Sequence, residues 1–387
     1  MTDVDPVHRH RRVLEGLLGV PATEGNEITV LRNGVEIFPA MLEAIRSATE
    51  TVDLLTYVYW TGDIADEFAK ALCDRGHAGV RVRLLLDAVG AARMNRQLLT
   101  ELEDAGCDVR WFRPPTTWKV WELDHRTHRK VLICDEEVAF TGGVGIAEEW
   151  EGDARDPSEW RETHLRVLGP AVDGLRAAFV NDWFETGAQL FDDRDRFPEQ
   201  PQPGSSVVQV VRSPAQVGWS DLGTVYGALI MMAQQRLRIT SAYFVPEQLF
   251  VDHLVGAARR GVQVEILVPG EHTDKRVVQV AGEANYEPLL EAGVSIHRYG
   301  PTMLHAKVIT VDGAVACLGS GNFDPRSLRR NDEANMVVFD PEVVAVLDEH
   351  FDGDLEVSEP VRPGSWQRRS VRQRVSEIAT RPFHREL

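Results

Sequence analysis

The order of motifs in this chain repeats. Thr51–Trp60 (TVDLLTYVYW) reads like Arg236–Val245 (RLRITSAYFV), and Gly79–Asp87 (GVRVRLLLD) like Gly261–Val268 (GVQVEILV). Ala105–Phe112 (AGCDVRWF) reads like Ala292–Tyr299 (AGVSIHRY), and His128–Asp135 (HRKVLICD) like His305–Asp312 (HAKVITVD). The four matches lie about 180 residues apart and keep their order. Solenoid units are roughly 20–50 residues long, so this period marks a duplicated domain. The 387-residue chain therefore holds two homologous units. Related units in one chain pack about a pseudo-two-fold axis, and a site on that axis receives the same residues from each half.

Within the first unit, strand and helix signals alternate. Thr51–Tyr59 is β-rich, Asp63–Arg75 places Ile64, Phe68 and Leu72 at helical spacing, and Val80–Leu86 reads as a strand. Arg96–Ala105 reads as a helix closed by Gly106, and Asp108–Phe112 as a further strand. Alternation of this kind predicts an α/β fold with a largely covered sheet. The expected division is an N-terminal extension (1–26), a first unit (27–196), a Pro-rich linker (197–204), a second unit (205–360) and a basic tail (361–387).

Both units carry His-x-Lys-x4-Asp: His128, Lys130 and Asp135, then His305, Lys307 and Asp312. Only five lysines occur in the chain, against 37 arginines, and two of the five are these. A sequence that writes Arg almost everywhere has kept the compact ammonium at both motifs. Residues i and i+2 of a strand share a face, so each His and Lys point together. Asp312-Gly313 predicts a two-residue hairpin with Val311 opposite Ala314. That register sets His305 opposite Ser320, beside Asn322, and His128 opposite Gly142 and Gly143. Two imidazoles and two ammoniums around one point suit exchange at a phosphodiester. The lysines, Asn322 and Ser320 hold phosphate oxygens, one imidazole attacks phosphorus, and the other moves the proton of the alcohol. The lysines supply the positive charge, so neither a metal nor a cofactor is expected.

These motifs resemble those of the phospholipase D superfamily, and within it the bacterial cardiolipin synthase branch. The resemblance spans about 27–340. It rests on His128-Arg129-Lys130, Trp160-Arg161-Glu162-Thr163-His164, Tyr243-Phe244-Val245-Pro246-Glu247, Gly319-Ser320-Gly321-Asn322 and Asn331-Asp332-Glu333. It implies a phospholipase D fold and transfer or hydrolysis of phosphatidyl groups, with phosphatidylglycerol or a related anionic lipid as substrate. By the same resemblance His128 is the nucleophile and His305 the general acid and base, with Lys130, Lys307 and Asn322 around the phosphate; the hairpin register adds Ser320 and Gly143 there. Glu333 matches the family carboxylate that orients a motif histidine, and Glu162 looks like its counterpart. Asp135 and Asp312 support the hairpins. The active site is then complete within one chain. Two features depart from the family: Gly145 stands where an Asn is common, and the membrane-spanning helices that open many cardiolipin synthases have no counterpart here.

Charge and hydropathy narrow the partners. A formal net charge of −18 disfavours general nucleic-acid binding, which needs a basic footprint. No apolar run approaches the roughly 18–20 residues of a membrane span, and no secretory signal opens the chain, so a cytoplasmic enzyme touching the inner face of the membrane is expected. The tail 361–387 carries seven arginines and two glutamates. It reads equally as a helix on an anionic membrane and as a helix packed on the acidic body. Asp274 and Tyr286 are candidates for the site entrance. Two rival readings stand beside the main one: a nuclease or other phosphodiesterase of the same superfamily, and a lipid-binding scaffold with a dead site.

Overall fold

The structure, a computed structural model, describes residues 5–114, 124–192, 194–195, 198–214 and 220–362. The first unit contributes β1 (Thr23–Arg32), β2 (Thr51–Thr56), β3 (Arg81–Asp87), β4 (Asp108–Phe112), β5 (Arg126–Thr127), β6 (Val131–Cys134), β7 (Val138–Gly142) and β8 (Thr163–Leu168). The second contributes β9 (Ser206–Ser213), β10 (Arg236–Ser241), β11 (Gln263–Pro269), β12 (Ser295–Tyr299), β13 (Lys307–Val311), β14 (Val315–Gly319), β15 (Asn331–Phe339) and β16 (Ser358–Pro360). They form one sheet in the order β16-β12-β11-β10-β13-β14-β15-β9-β1-β8-β7-β6-β2-β3-β4, with β5 beside β15. Read outward from the β9–β1 junction, the two halves repeat the same series. The duplication seen in the sequence is thus a duplication of topology, and β16 alone extends one end.

Burial explains the apolar runs. All six residues of β2 are buried, between parallel β3 and antiparallel β6, as a strand covered on both faces requires. Helices Asn33–Ser47 and Asp63–His77 cover one face, where Phe38 and Phe68 meet edge to face at 5.8 Å. Helix Ala171–Glu185 covers the other. A third cluster joins the units: Val131, Ile133, Leu165 and Phe179 pack with Ala316, Leu318, Met336 and Leu347. Each of these side chains larger than alanine contributes roughly 1.5–3 kcal/mol on burial, so this shared core fixes one unit against the other. The N-terminal helix Pro6–Leu18 lays Leu14 into the core of the second unit.

The hairpin register differs from expectation by one residue. Val311 pairs with Val315 and Thr310 with Ala316, and in the first unit Cys134 pairs with Val138. The turn itself has the expected left-handed residues, Asp312 (φ 53°) and Gly313 (φ 64°), and Ala314 N–H donates to the Val311 carbonyl at 3.0 Å. Ala314 is then an extra residue before the ladder begins. Lys307 accordingly stands level with Gly319 and Lys130 with Gly142, and both histidines lie beyond the paired strands.

Candidate active site

Leaving the ladder is what brings the histidines together. Before the first motif, β5 pairs with Asn331 and Asp332 of β15, and His128 N–H donates to the Asp332 carbonyl at 2.9 Å. Before the second, Arg161 bridges to Leu304. Arg161 N–H donates to Met303 O at 2.9 Å, and His305 N–H donates to Arg161 O at 2.8 Å. Each histidine is thereby passed to the opposite unit. His128 Nδ1 lies 3.1 Å from both oxygens of Glu333, and His305 Nδ1 lies 2.6 Å from Glu162. The two carboxylates expected to orient the histidines do so crosswise. An ionised carboxylate only accepts, so Nδ1 of His128 carries the proton and Nε2 keeps its lone pair.

The two dyads are not equivalent. Glu333 is held ionised, down to about 2: burial pushes its carboxyl up, but His128, Lys130 and the Ser320 hydroxyl outweigh it. Burial raises Glu162, and Lys307 only partly opposes it. The local difference lies at one position of the repeat. Ser320 donates to Glu333 at 2.5 Å and accepts Ala334 N–H at 3.0 Å; the matching residue in the first unit is Gly143. Ser320, expected at the phosphate, is therefore engaged behind the His128 dyad. Gly143 is bare for a steric reason, since a Cβ there would stand 2.4 Å from Glu162 Oε2. Gly143→Ala should push Glu162 off His305 and lower turnover at least about tenfold. Near-native turnover in a folded variant would show that the contact is dispensable.

Lys130 and Lys307 are buried beside their histidines. Lys130 Nζ donates to His128 O at 2.7 Å. Lys307 Nζ donates to His305 O and lies 2.9 Å from His305 Nδ1. Burial lowers both ammoniums, Lys130 to about 7 and Lys307 to about 8. Burial also lowers His128 to about 4, and burial together with Lys307 takes His305 well below its usual value. Each dyad joins a histidine of one unit to a carboxylate of the other, so the four motif side chains lie along the seam between the units. Asn322 is buried, and among the described residues its Oδ1 has no hydrogen-bond partner. Asn at position 145 is excluded by packing, because a Cβ there would meet Val58 at 2.8 Å and Trp150 at 3.0 Å.

The motif aspartates sit away from the reacting groups. Asp135 accepts from the N–H groups of Thr49, Glu50 and Thr51; Asp312 accepts from those of Gln234, Gln235 and Arg236. Each fixes the entry to its unit's central strand. Aromatic rings line the site, which charge-based motif reading did not assign. Tyr57 lies 5.1 Å from His128, and Trp150 and Trp160 lie 5.2 and 5.1 Å from His305. Asp274 is exposed and accepts from Tyr243 Oη at 2.6 Å, and the Tyr243 ring stands 6.5 Å from that of His305. Tyr286, expected beside it, is instead a core residue.

A family model described as a cardiolipin synthase, phospholipase D-like domain matches residues 41–150 and 226–355, once in each unit. The chain belongs to this family. It is a phospholipase D-type phosphatidyltransferase. Cardiolipin synthase 1 of Bacillus anthracis is 30% identical over 94% of this chain and 73% of its own length. The cardiolipin synthase of Geobacillus sp. (strain WCH70) is 33% identical over 97% of this chain and 76% of its own length. Among solved structures, the phosphatidylserine synthase of Haemophilus influenzae Rd KW20 superposes with a TM-score of 0.73 at 16% identity, covering 98% of both chains. A polyphosphate kinase from Porphyromonas gingivalis gives 0.60 at 13% identity over 93% of this chain and 53% of its own. Those two likenesses concern the fold alone. Among the described residues no helix is long and apolar enough to cross a membrane, and the basic tail lies outside them from residue 363 onward.

Proposed function

We propose that this family member makes cardiolipin-type products from phosphatidylglycerol through a phosphohistidine on His128. The crossed dyads carry this reading, above all the ionised Glu333 on His128 Nδ1. In the first step His128 Nε2 attacks phosphorus, the bond to the head-group oxygen breaks, and His305 gives that oxygen its proton. In the second, the acceptor hydroxyl passes its proton to His305, its oxygen bonds phosphorus, and the phosphorus–Nε2 bond breaks. Lys130, Lys307 and Asn322 hold the phosphate oxygens. Peripheral contact with an anionic membrane is part of this reading.

Mass spectrometry of products from purified phosphatidylglycerol tests the proposal. Cardiolipin with release of glycerol is expected. Phosphatidic acid alone would make the enzyme a hydrolase, and cleavage of single-stranded DNA without lipid turnover would make it a nuclease. The lysines add a pH dependence. His305 must keep its proton to act as the acid although its pKa lies well below the usual imidazole value, and a lysine whose pKa is lowered loses its charge as pH rises, so kcat/KM should fall first with His305 on the acid side of neutrality and again at about pH 7–8 with Lys130 and Lys307. A profile flat to pH 10 would place the phosphate on other groups.

A further inference from the structure

Behind each dyad a buried arginine is gripped by a carboxylate from the last long helix of a unit. On the His305 side, Arg161 Nε donates to both oxygens of Asp354, at 3.1 and 3.0 Å. The two side chains are 2% and 4% exposed. Arg161 precedes Glu162 in the chain, and its carbonyl accepts the N–H of His305. Fixing Arg161 therefore fixes both members of the dyad, one through a peptide bond and one through a hydrogen bond. Asp354 also accepts from Arg32 at 2.9 Å. It sits in helix Pro341–Glu356 of the second unit, while both arginines belong to the first.

On the other side, Arg129 donates to Asp182 at 2.6 Å and to Ala178 O at 2.8 Å. Its Nε donates to Glu333 O at 3.2 Å, and Thr127 Oγ1 donates to the same Asp182 at 2.6 Å. Asp182, in helix Ala171–Glu185, thus holds the residues on either side of His128, and Arg129 carries that hold to the backbone of Glu333.

The helices correspond in the duplication but the arginines do not. Arg161-Glu162 aligns with Asp332-Glu333, and Arg129 aligns with Ala306. Copying one ancestral unit did not produce this pair of grips; each was built from a different position. A buried ion pair contributes little net stability against an apolar pair of the same volume, so stability alone does not account for two of them at two dyads. Geometry does, because each arginine sits one residue from a reacting or orienting side chain.

We propose that Asp354 and Asp182 are positioning residues for the transfer reaction. Asp354 holds the His305–Glu162 dyad through Arg161, and Asp182 holds the His128–Glu333 dyad through Arg129. The assignment rests on the reading that both histidines act on the phosphodiester, but not on which of them attacks.

The test sets Asp354→Asn and Asp182→Asn beside His305→Asn and His128→Asn on two substrates, phosphatidylglycerol and a nitrophenyl phosphodiester. The second has a leaving group that needs no proton, so burst and steady-state rates separate attack from proton transfer. Each aspartate variant should reproduce the pattern of its own histidine's variant in weaker form. The affected step should fall about 10–100-fold, the loss seen when a partner that orients a metal-ligating side chain is removed. The other step should stay within about threefold, and KM within about twofold. Asp354→Glu and Asp182→Glu keep the charge while displacing the arginine, and should give smaller losses in the same pattern. The proposal is overturned if both aspartate variants lose both steps alike, if each follows the wrong histidine, if turnover stays within about twofold of native, or if none of the four aspartate variants unfolds cooperatively. Should His305 be the nucleophile, the two histidine patterns would exchange while each aspartate stayed with its own histidine, so an error in the assigned roles reads differently from an error in the proposal.

Discussion

His128→Asn should abolish turnover on every diester, whereas His305→Asn should release one equivalent of nitrophenolate and stop. The difference follows from what each imidazole supplies. A nucleophile has no substitute, and the Asn side chain cannot form the covalent intermediate. A general acid matters less when the leaving group departs as a stable anion, and general acid–base catalysis is worth about 10²–10⁴-fold where a proton is required. In the His305 variant the intermediate then persists, because no base activates the acceptor. Peptide mapping after a quench without acid should locate phosphate on His128. The proposed order rests on the partner of His128: Glu333, held also by the Ser320 hydroxyl, stabilises positive charge on a phosphorylated ring. A burst in the His128 variant with the adduct on His305 would reverse the roles. No trapped adduct in either variant would remove the covalent step.

Much of this architecture was legible in the chain because duplication writes every signal twice. The strand Asp108–Phe112 has the bounds its sequence predicts, and the helix predicted over Asp63–Arg75 runs to His77. The crossing of the dyads was not legible. It depends on β5, two residues long, and on a single bridge at Arg161; neither has a periodicity to read. The sequence marks Glu162 and Glu333 as carboxylates for the histidines but does not say that each serves the other unit's histidine. The register displacement has a similar origin. Asp312-Gly313 gives the turn correctly, but whether the ladder resumes at once or after Ala314 depends on cross-strand packing. Buried ion pairs such as Arg161–Asp354 join residues far apart in sequence, and nothing local distinguishes them from solvated charges.

Glu333→Gln should lower kcat by about 10³-fold, roughly 4 kcal/mol of transition-state stabilisation, and leave KM nearly unchanged. Glu333 is fully buried and engages His128 and Ser320, so its loss should register in the chemical step and spare substrate binding. The amide oxygen can still accept from His128 Nδ1, but the amide nitrogen must donate where a carboxylate oxygen accepted. Its neighbour there, the Ser320 hydroxyl, now donates to that oxygen and would have to turn its proton to the more distant Ala334 carbonyl at 3.4 Å. The variant also loses the negative charge that balances the imidazolium formed on phosphorylation; the same carboxylate-to-amide change in a serine-protease triad costs about 10⁴-fold, there through the wrong imidazole tautomer. A second consequence separates this role from simple damage. Glu333 raises the pKa of both Lys130 and Lys307. Without it both ammoniums give up protons at lower pH, so the alkaline fall in kcat/KM should move to lower pH. Glu162→Gln removes a charge that also raises both lysines, so it should move the same limb while sparing the nitrophenolate burst, since its imidazole serves proton transfer. A Glu333→Gln variant with kcat within about tenfold of native and an unmoved alkaline limb would dissociate that carboxylate from both the nucleophile and the phosphate-holding lysines.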